Sequence, residues 1–75
     1  MPHVIVKMWP GRSEKVKIQL AEAIARDVVE IAEVGEGSVS VAIEEVPASG
    51  WKAKVYDPDI KKNQDRLYKK PGYSM

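Results

Sequence analysis

Met1 is followed directly by Pro2, and Pro2 opens onto the apolar run Val4, Ile5 and Val6. Aminopeptidases commonly trim a methionine that precedes a small residue or proline, and the product here is a free secondary amine on a rigid ring at the start of a strand. An ordinary α-amino group titrates at about 7.7–8.0. An apolar pocket and a nearby cation both lower that value, because both disfavour the charged form. Such an amine is partly neutral at physiological pH, as a general base requires. Two further residues could serve it. Arg12, in the turn Gly11-Arg12-Ser13, is a cation suited to a carboxylate, and Trp51 offers a flat apolar surface. Each has a plainer reading beside it: Met-Pro as a permissive start, Arg12 as a solvated turn residue, Trp9 and Trp51 as core or interface residues.

The elements that must position these residues belong to a chain of 75 residues, read as a single domain, 1–75. A domain this small buries only about 60% of its extended-chain surface. There is no cysteine, and His3 is the only histidine, so neither a disulfide nor a zinc site is expected to help. The remaining aid is oligomerisation. No apolar run approaches the roughly 20 residues of a membrane span, and no basic segment followed by an apolar one opens the chain; a cytoplasmic location without membrane contact is expected. Twelve basic against eleven acidic residues give no electrostatic argument for a polyanionic partner. Lys61, Lys62, Arg66, Lys69 and Lys70 are interrupted by Asp57, Asp59 and Asp65 and lack a stacking platform, so they read as a solvated helix face and not as a nucleic-acid site.

Residues 3–9 alternate as a strand, with Val4, Val6 and Met8 on one face and His3, Ile5, Lys7 and Trp9 on the other. Pro10-Gly11 ends it, and Ser13 stands where an N-cap belongs, with Glu14 in the first helical turn. Val16, Leu20, Ala23, Ile24, Val28 and Ile31 then recur at helical spacing as an apolar stripe, and Gly35 and Gly37 are expected to end the helix. Residues 38–46 alternate again as a second strand. Strand, helix and strand with short connections predict a βαβ unit with parallel strands and a right-handed crossover. Its open edges and uncovered face predict at least a dimer. Pro47 and Gly50 predict a turn, 51–56 a loop or short extended piece, and Asp57-Pro58 the N-cap and first position of a short second helix. Ile60, Leu67 and Tyr68 would be its stripe, and Pro71-Gly72 its end near Lys70.

A base at Pro2, the turn Gly11-Arg12-Ser13-Glu14, the strand pattern Ser38-Val39-Ser40-Val41 and the aromatic Trp51 together resemble the 4-oxalocrotonate tautomerase family. The ending Lys69-Lys70-Pro71-Gly72-Tyr73-Ser74-Met75 is similar to that of its dimeric pseudo 4-oxalocrotonate tautomerase subgroup. The resemblance spans the whole chain. It implies an α+β fold, a βαβ unit of the tautomerase type completed by oligomerisation as a homodimer, with a homohexamer as the alternative. It also implies a cofactor-independent keto-enol isomerisation of a small 2-hydroxydienoate or enolpyruvate-like acid, with phenylenolpyruvate as a test substrate. Pro2 would be the catalytic base and acid, Arg12 the carboxylate anchor and Trp51 an apolar wall, with no metal; Ser40 and His3 are further candidate substrate contacts, and a lone His near a strand start has a structural reading beside it. Where the family's pattern has a second arginine on the second strand, this chain has Ser40. A hydroxyl cannot replace a guanidinium fork, which favours a monoacid with an apolar or aromatic far end. Lys52 stands after Trp51 where water-activating relatives would carry an acid, which disfavours hydratase or dehalogenase chemistry. The reading from a different class is an oligomeric binding protein of the same fold without meaningful turnover.

Overall fold

A computed structural model describes residues 1–75, and it resolves into two compact units, Met1–Glu45 and Val46–Met75. The first contains β1 (His3–Met8), α1 (Glu14–Ala32), a single 3-10 turn at Glu36–Ser38 and β2 (Ser40–Glu45). The strands pair in parallel, in a register that sets His3 beside Ser40 and Met8 beside Glu45. This is the expected βαβ unit. Its second strand starts later than the alternation suggested, because Ser38 closes the 3-10 turn with its hydroxyl on the Gly35 carbonyl at 2.7 Å.

Side chains alternate across a strand, so the register sorts the sheet into two faces. Val4, Val6, Met8, Val41, Ile43 and Glu45 share the face on which α1 packs. Lys17 of α1 bridges Glu45 at 3.6 Å and Glu14 at 3.3 Å. The hydrogen bond to Glu14 raises the Lys17 pKa above its ordinary value; burial opposes it, and the charges of Glu14 and Glu45 with a hydrogen bond to Glu45 leave the net shift upward. Because the folded value is the higher one, this pairing stabilises the fold below the ordinary lysine range and is lost as the solution becomes strongly alkaline. The opposite face carries His3, Ile5, Lys7, Ser40, Ala42 and Glu44, and Ile5 remains 49% exposed there.

Ser13 caps α1 as expected: its backbone is extended and its hydroxyl accepts the Val16 N–H at 3.2 Å. Ahead of it Gly11 takes φ 127°, a conformation an L side chain rarely adopts. The helix ends two residues before Gly35, at a left-handed Glu33 whose N–H, like that of Val34, returns to the Val29 carbonyl. The expected glycine stop is therefore corrected, and Gly35 instead opens the 3-10 turn. The apolar stripe is also rotated from the expected one. Leu20, Ile24 and Val28 are half-buried together with Ala21, Ala25 and Val29, whereas Val16, Ala23 and Ile31 are exposed, Ile31 by 81%. No residue of α1 is fully buried.

The second unit departs most from expectation. Pro47 caps α2 (Ala48–Trp51), which continues with α-helical backbone at Trp51 and Lys52 into wide π-type turns over Lys52–Ile60 and tight 3-10 turns over Lys61–Arg66. Residues 48–56 are thus helical where a turn and a loop were expected. Asp57-Pro58 does not start a helix but lies inside one. In an α-helix Pro58 would remove an N–H and clash with the carbonyl four residues back; here the wider turn accommodates it. The wider turn also sets residues five apart on one side, and Lys52 pairs with Asp57 at 2.9 Å. Past Pro58 the Lys61 N–H is shared between the Tyr56 and Asp57 carbonyls. Asn63 donates to the carbonyls of Pro58 and Asp59, and Gln64 to that of Ile60. The backbone leaves helical geometry at Asn63 and the turns stop at Arg66, short of Lys70, leaving Tyr68 outside the helix and fully exposed.

Replacing Ser13 by Ala removes the acceptor for the Val16 N–H at the mouth of α1. The expected cost is about 1 kcal/mol of unfolding free energy by urea titration, and Ser13→Asp should retain most of the stability.

Candidate active site

Pro2 stands immediately before β1, half-buried, and its carbonyl accepts the Ser40 N–H at 3.2 Å. The parallel ladder thus holds this residue one step beyond the strand. Its nitrogen carries no N–H to donate, being acylated by Met1. That methionine is 99% exposed. While the Met1–Pro2 bond persists the nitrogen is an amide without a basic lone pair; its cleavage creates the amine at the point the ladder has already fixed.

Beside Pro2 the register brings two polar side chains together. His3 Nδ1 and Ser40 Oγ are 2.6 Å apart, and the imidazole tautomer decides which of them donates. Both are exposed on the sheet face turned away from α1. A ring nitrogen and a hydroxyl can hydrogen-bond a ligand oxygen, but they supply no fixed cation for a second carboxylate.

Arg12 lies on the exposed turn between β1 and α1, and none of the chain's carboxylates holds its guanidinium. It is at the far end of β1 from Pro2. Six residues of strand separate them, a span of about 20 Å at roughly 3.3 Å per residue, which no arginine side chain crosses. Within one chain the structure therefore brings Pro2, His3 and Ser40 together and keeps Arg12 apart.

Trp51 belongs to the second unit. It is half-buried at the end of α2, and its indole N–H donates to the Tyr73 hydroxyl at 2.9 Å. The Tyr73 ring in turn meets Tyr56, centroids 5.8 Å apart and planes tilted by 40°. A contact between residues 22 apart, reached through a segment without regular structure, leaves no periodic trace; only the Pro71-Gly72 turn signals that the chain reverses there. Trp9 is 53% exposed and is not a core residue of the chain.

A shallow groove elsewhere runs along α1 between Glu22, Arg26, Glu30 and Glu36 over Ala25 and Val29. It contains none of the candidate residues. No cluster of three or more His, Cys, Asp or Glu side chains is placed to hold a metal ion. No helix is long and apolar enough to cross a membrane.

Comparison with known proteins gives this geometry a context. Residues 2–55 match the sequence profile of the tautomerase enzyme family. A probable tautomerase from Xylella fastidiosa is 44% identical over 75 residues, covering 100% of this chain and 92% of the relative. Tautomerase PptA from an Enterobacter species is 42% identical over the full length of both chains. Among solved structures, the heterohexameric 4-oxalocrotonate tautomerase of Chloroflexus aurantiacus superposes with a TM-score of 0.65 at 31% identity, covering 68% of this chain and 82% of that one.

An exposed arginine without an acidic partner should contribute nothing to folding. Arg12→Ala is expected to leave unfolding free energy within about 0.5 kcal/mol of the parent in a urea titration. A loss beyond about 1 kcal/mol would assign the guanidinium to the fold and remove it from the site.

Proposed function

The chain belongs to the 4-oxalocrotonate tautomerase family, and from that premise we propose that it is a cofactor-independent tautomerase whose base is Pro2 after removal of Met1. The observation that carries the reading is the placement of Pro2: half-buried, tied to β2 through its carbonyl, and joined to a methionine that stands free in solvent. The substrate class is a small enol or keto monoacid. The neutral amine takes the proton of the enol hydroxyl, the freed O–H electron pair becomes the new C=O bond, and the C=C electron pair takes the proton back from the prolinium at carbon. One group accepts and donates in turn, so no metal or cofactor is called for. Arg12 holds the substrate carboxylate and stabilises charge on the dienolate, His3 and Ser40 contact a substrate oxygen, and Trp51 is the apolar wall.

The strand-length separation of Pro2 and Arg12 supports a site built from two copies. Two βαβ units joined edge to edge by a twofold axis run their β1 strands in opposite senses, so the Pro2 end of one copy approaches the Arg12 end of the other. The exposed apolar residues Ile5, Val16, Ile18 and Ile31 give such an association a driving force. The proposed assembly is a homodimer, and the compartment is the cytoplasm.

Protein lacking Met1 is expected to ketonise phenylenolpyruvate above the buffer rate without added metal, faster as pH rises and prolinium is lost. Pro2→Ala should keep part of the activity through its primary amine. Pro2→Leu, which retains Met1, should have none. Equal rates for the processed protein and Pro2→Leu would leave the fold with a binding role only.

Mixing tests the shared site. Pro2→Leu and Arg12→Ala chains, each inactive or weak alone, should regain about a quarter of wild-type activity after joint refolding, since half the dimers are mixed and each has one intact site. Absence of any gain would return Arg12 to the Pro2 of its own chain or remove it from catalysis.

A further inference from the structure

The Val46–Met75 unit contains an aromatic arrangement that the proton-transfer chemistry does not use. After the turns end at Arg66, the chain continues without regular structure, yet Tyr73 returns to the helix. There its hydroxyl accepts the Trp51 indole N–H at 2.9 Å and its ring lies 5.8 Å from that of Tyr56. Tyr56 is buried, so it is a fixed surface for Tyr73 to rest on. Tyr73 itself is 47% exposed, too open to serve mainly as a core residue. Tyr68, five residues earlier, makes none of these contacts and is fully exposed. The two tail tyrosines therefore differ in what they touch.

An indole has one donor and two side-chain torsions. A half-buried tryptophan whose N–H reaches a partner has its ring plane set by that bond as well as by packing. Here the partner is a phenol whose own ring is seated on a third, buried ring. The chain of contacts Tyr56, Tyr73, Trp51 transmits the rigidity of the helix to the indole plane.

We infer that Tyr73 is a positioning residue for Trp51, fixing the indole so that a planar aromatic acid can stack on it, and that the tail is part of the specificity apparatus through Tyr73. This rests on the reading of Trp51 as the apolar wall of the proposed site. Tyr73 touches no reacting atom. Its loss changes how well an aromatic substrate is held and leaves the proton transfer at Pro2 as it was.

The test uses the full-length, Met1-processed protein and two readouts. In a 1H–15N correlation spectrum the chain gives two indole signals, assigned by Trp9→Phe. Tyr73→Phe keeps the ring on Tyr56 and removes the acceptor; it should move the Trp51 signal alone, and Tyr68→Phe should move neither. Trans-cinnamate, a planar acid that cannot tautomerise, serves as the binding probe. Its Kd should rise about three- to tenfold in Tyr73→Phe, the range of one neutral hydrogen bond, and stay unchanged in Tyr68→Phe. With phenylenolpyruvate the same factor should appear in KM, with kcat held within about twofold. A still Trp51 signal, or equal cinnamate affinities in the parent and Tyr73→Phe, overturns the inference. Weakened cinnamate binding in a protein that turns over no enol would sustain it while overturning the tautomerase reading, because the probe needs no catalysis.

Discussion

The parallel register of two six-residue strands is the constraint on which the rest depends. Setting His3 beside Ser40 fixes which side chains face α1 and which face away. It also extends the ladder one bond further, to the Pro2 carbonyl. A slip of one residue would invert both faces. Val4 and Val6 would then leave the helix, and the His3–Ser40 contact would be lost with the anchoring of Pro2. The residue proposed as base is held by backbone pairing and not by its own side chain, which leaves its nitrogen free of structural duty.

The same unit is under-buried for its size. A helix of 19 residues with no fully buried side chain and a sheet on which Ile5 stays 49% exposed leave little margin over the cost of chain entropy. The residues left exposed are not random: Ile5 lies on the sheet face opposite α1, and Val16, Ile18 and Ile31 on the helix. These are surfaces on which another copy can be laid. Lys17, bridging Glu14 and Glu45, ties α1 to the end of β2 and steadies the unit without supplying the missing burial.

The first 45 residues were largely legible. Period-two and period-3.6 patterns, the Ser13 cap and the Gly11 break specify strand, helix and strand, because each is a local signal and local geometry agrees with it. The helix stop was misread since Glu33, and not a glycine, takes the left-handed position; the Val29 carbonyl and the following 3-10 turn outweigh the residue's intrinsic reluctance. Beyond residue 46 the local signals misled. Pro58 reads as a helix start in any α-helical grammar, and only a widened turn, braced by Lys52–Asp57 and by the Asn63 and Gln64 amides, allows it mid-helix. Of the candidate site, the motif order nominates Pro2, Arg12, Ser40 and Trp51 and says nothing of how they are placed. The His3–Ser40 contact and the Trp51–Tyr73 bond were not legible, because register and tail return are long-range outcomes that leave no mark in spacing.

The under-burial and the separation of Pro2 from Arg12 find a common remedy in the proposed dimer. A strand long enough to build a stable ladder necessarily places its two ends too far apart for a shared small substrate, so a βαβ unit cannot supply both base and cation from the ends of the same β1. Shortening the strand would join them at the cost of the sheet. Adding a second copy in the opposite sense joins them while covering apolar surface that the single chain leaves wet. In the proposed dimer the catalytic requirement and the folding requirement are met by the same contact. Stability and turnover should then fall together on dilution, a coupling that a self-sufficient monomer with a complete site would not have.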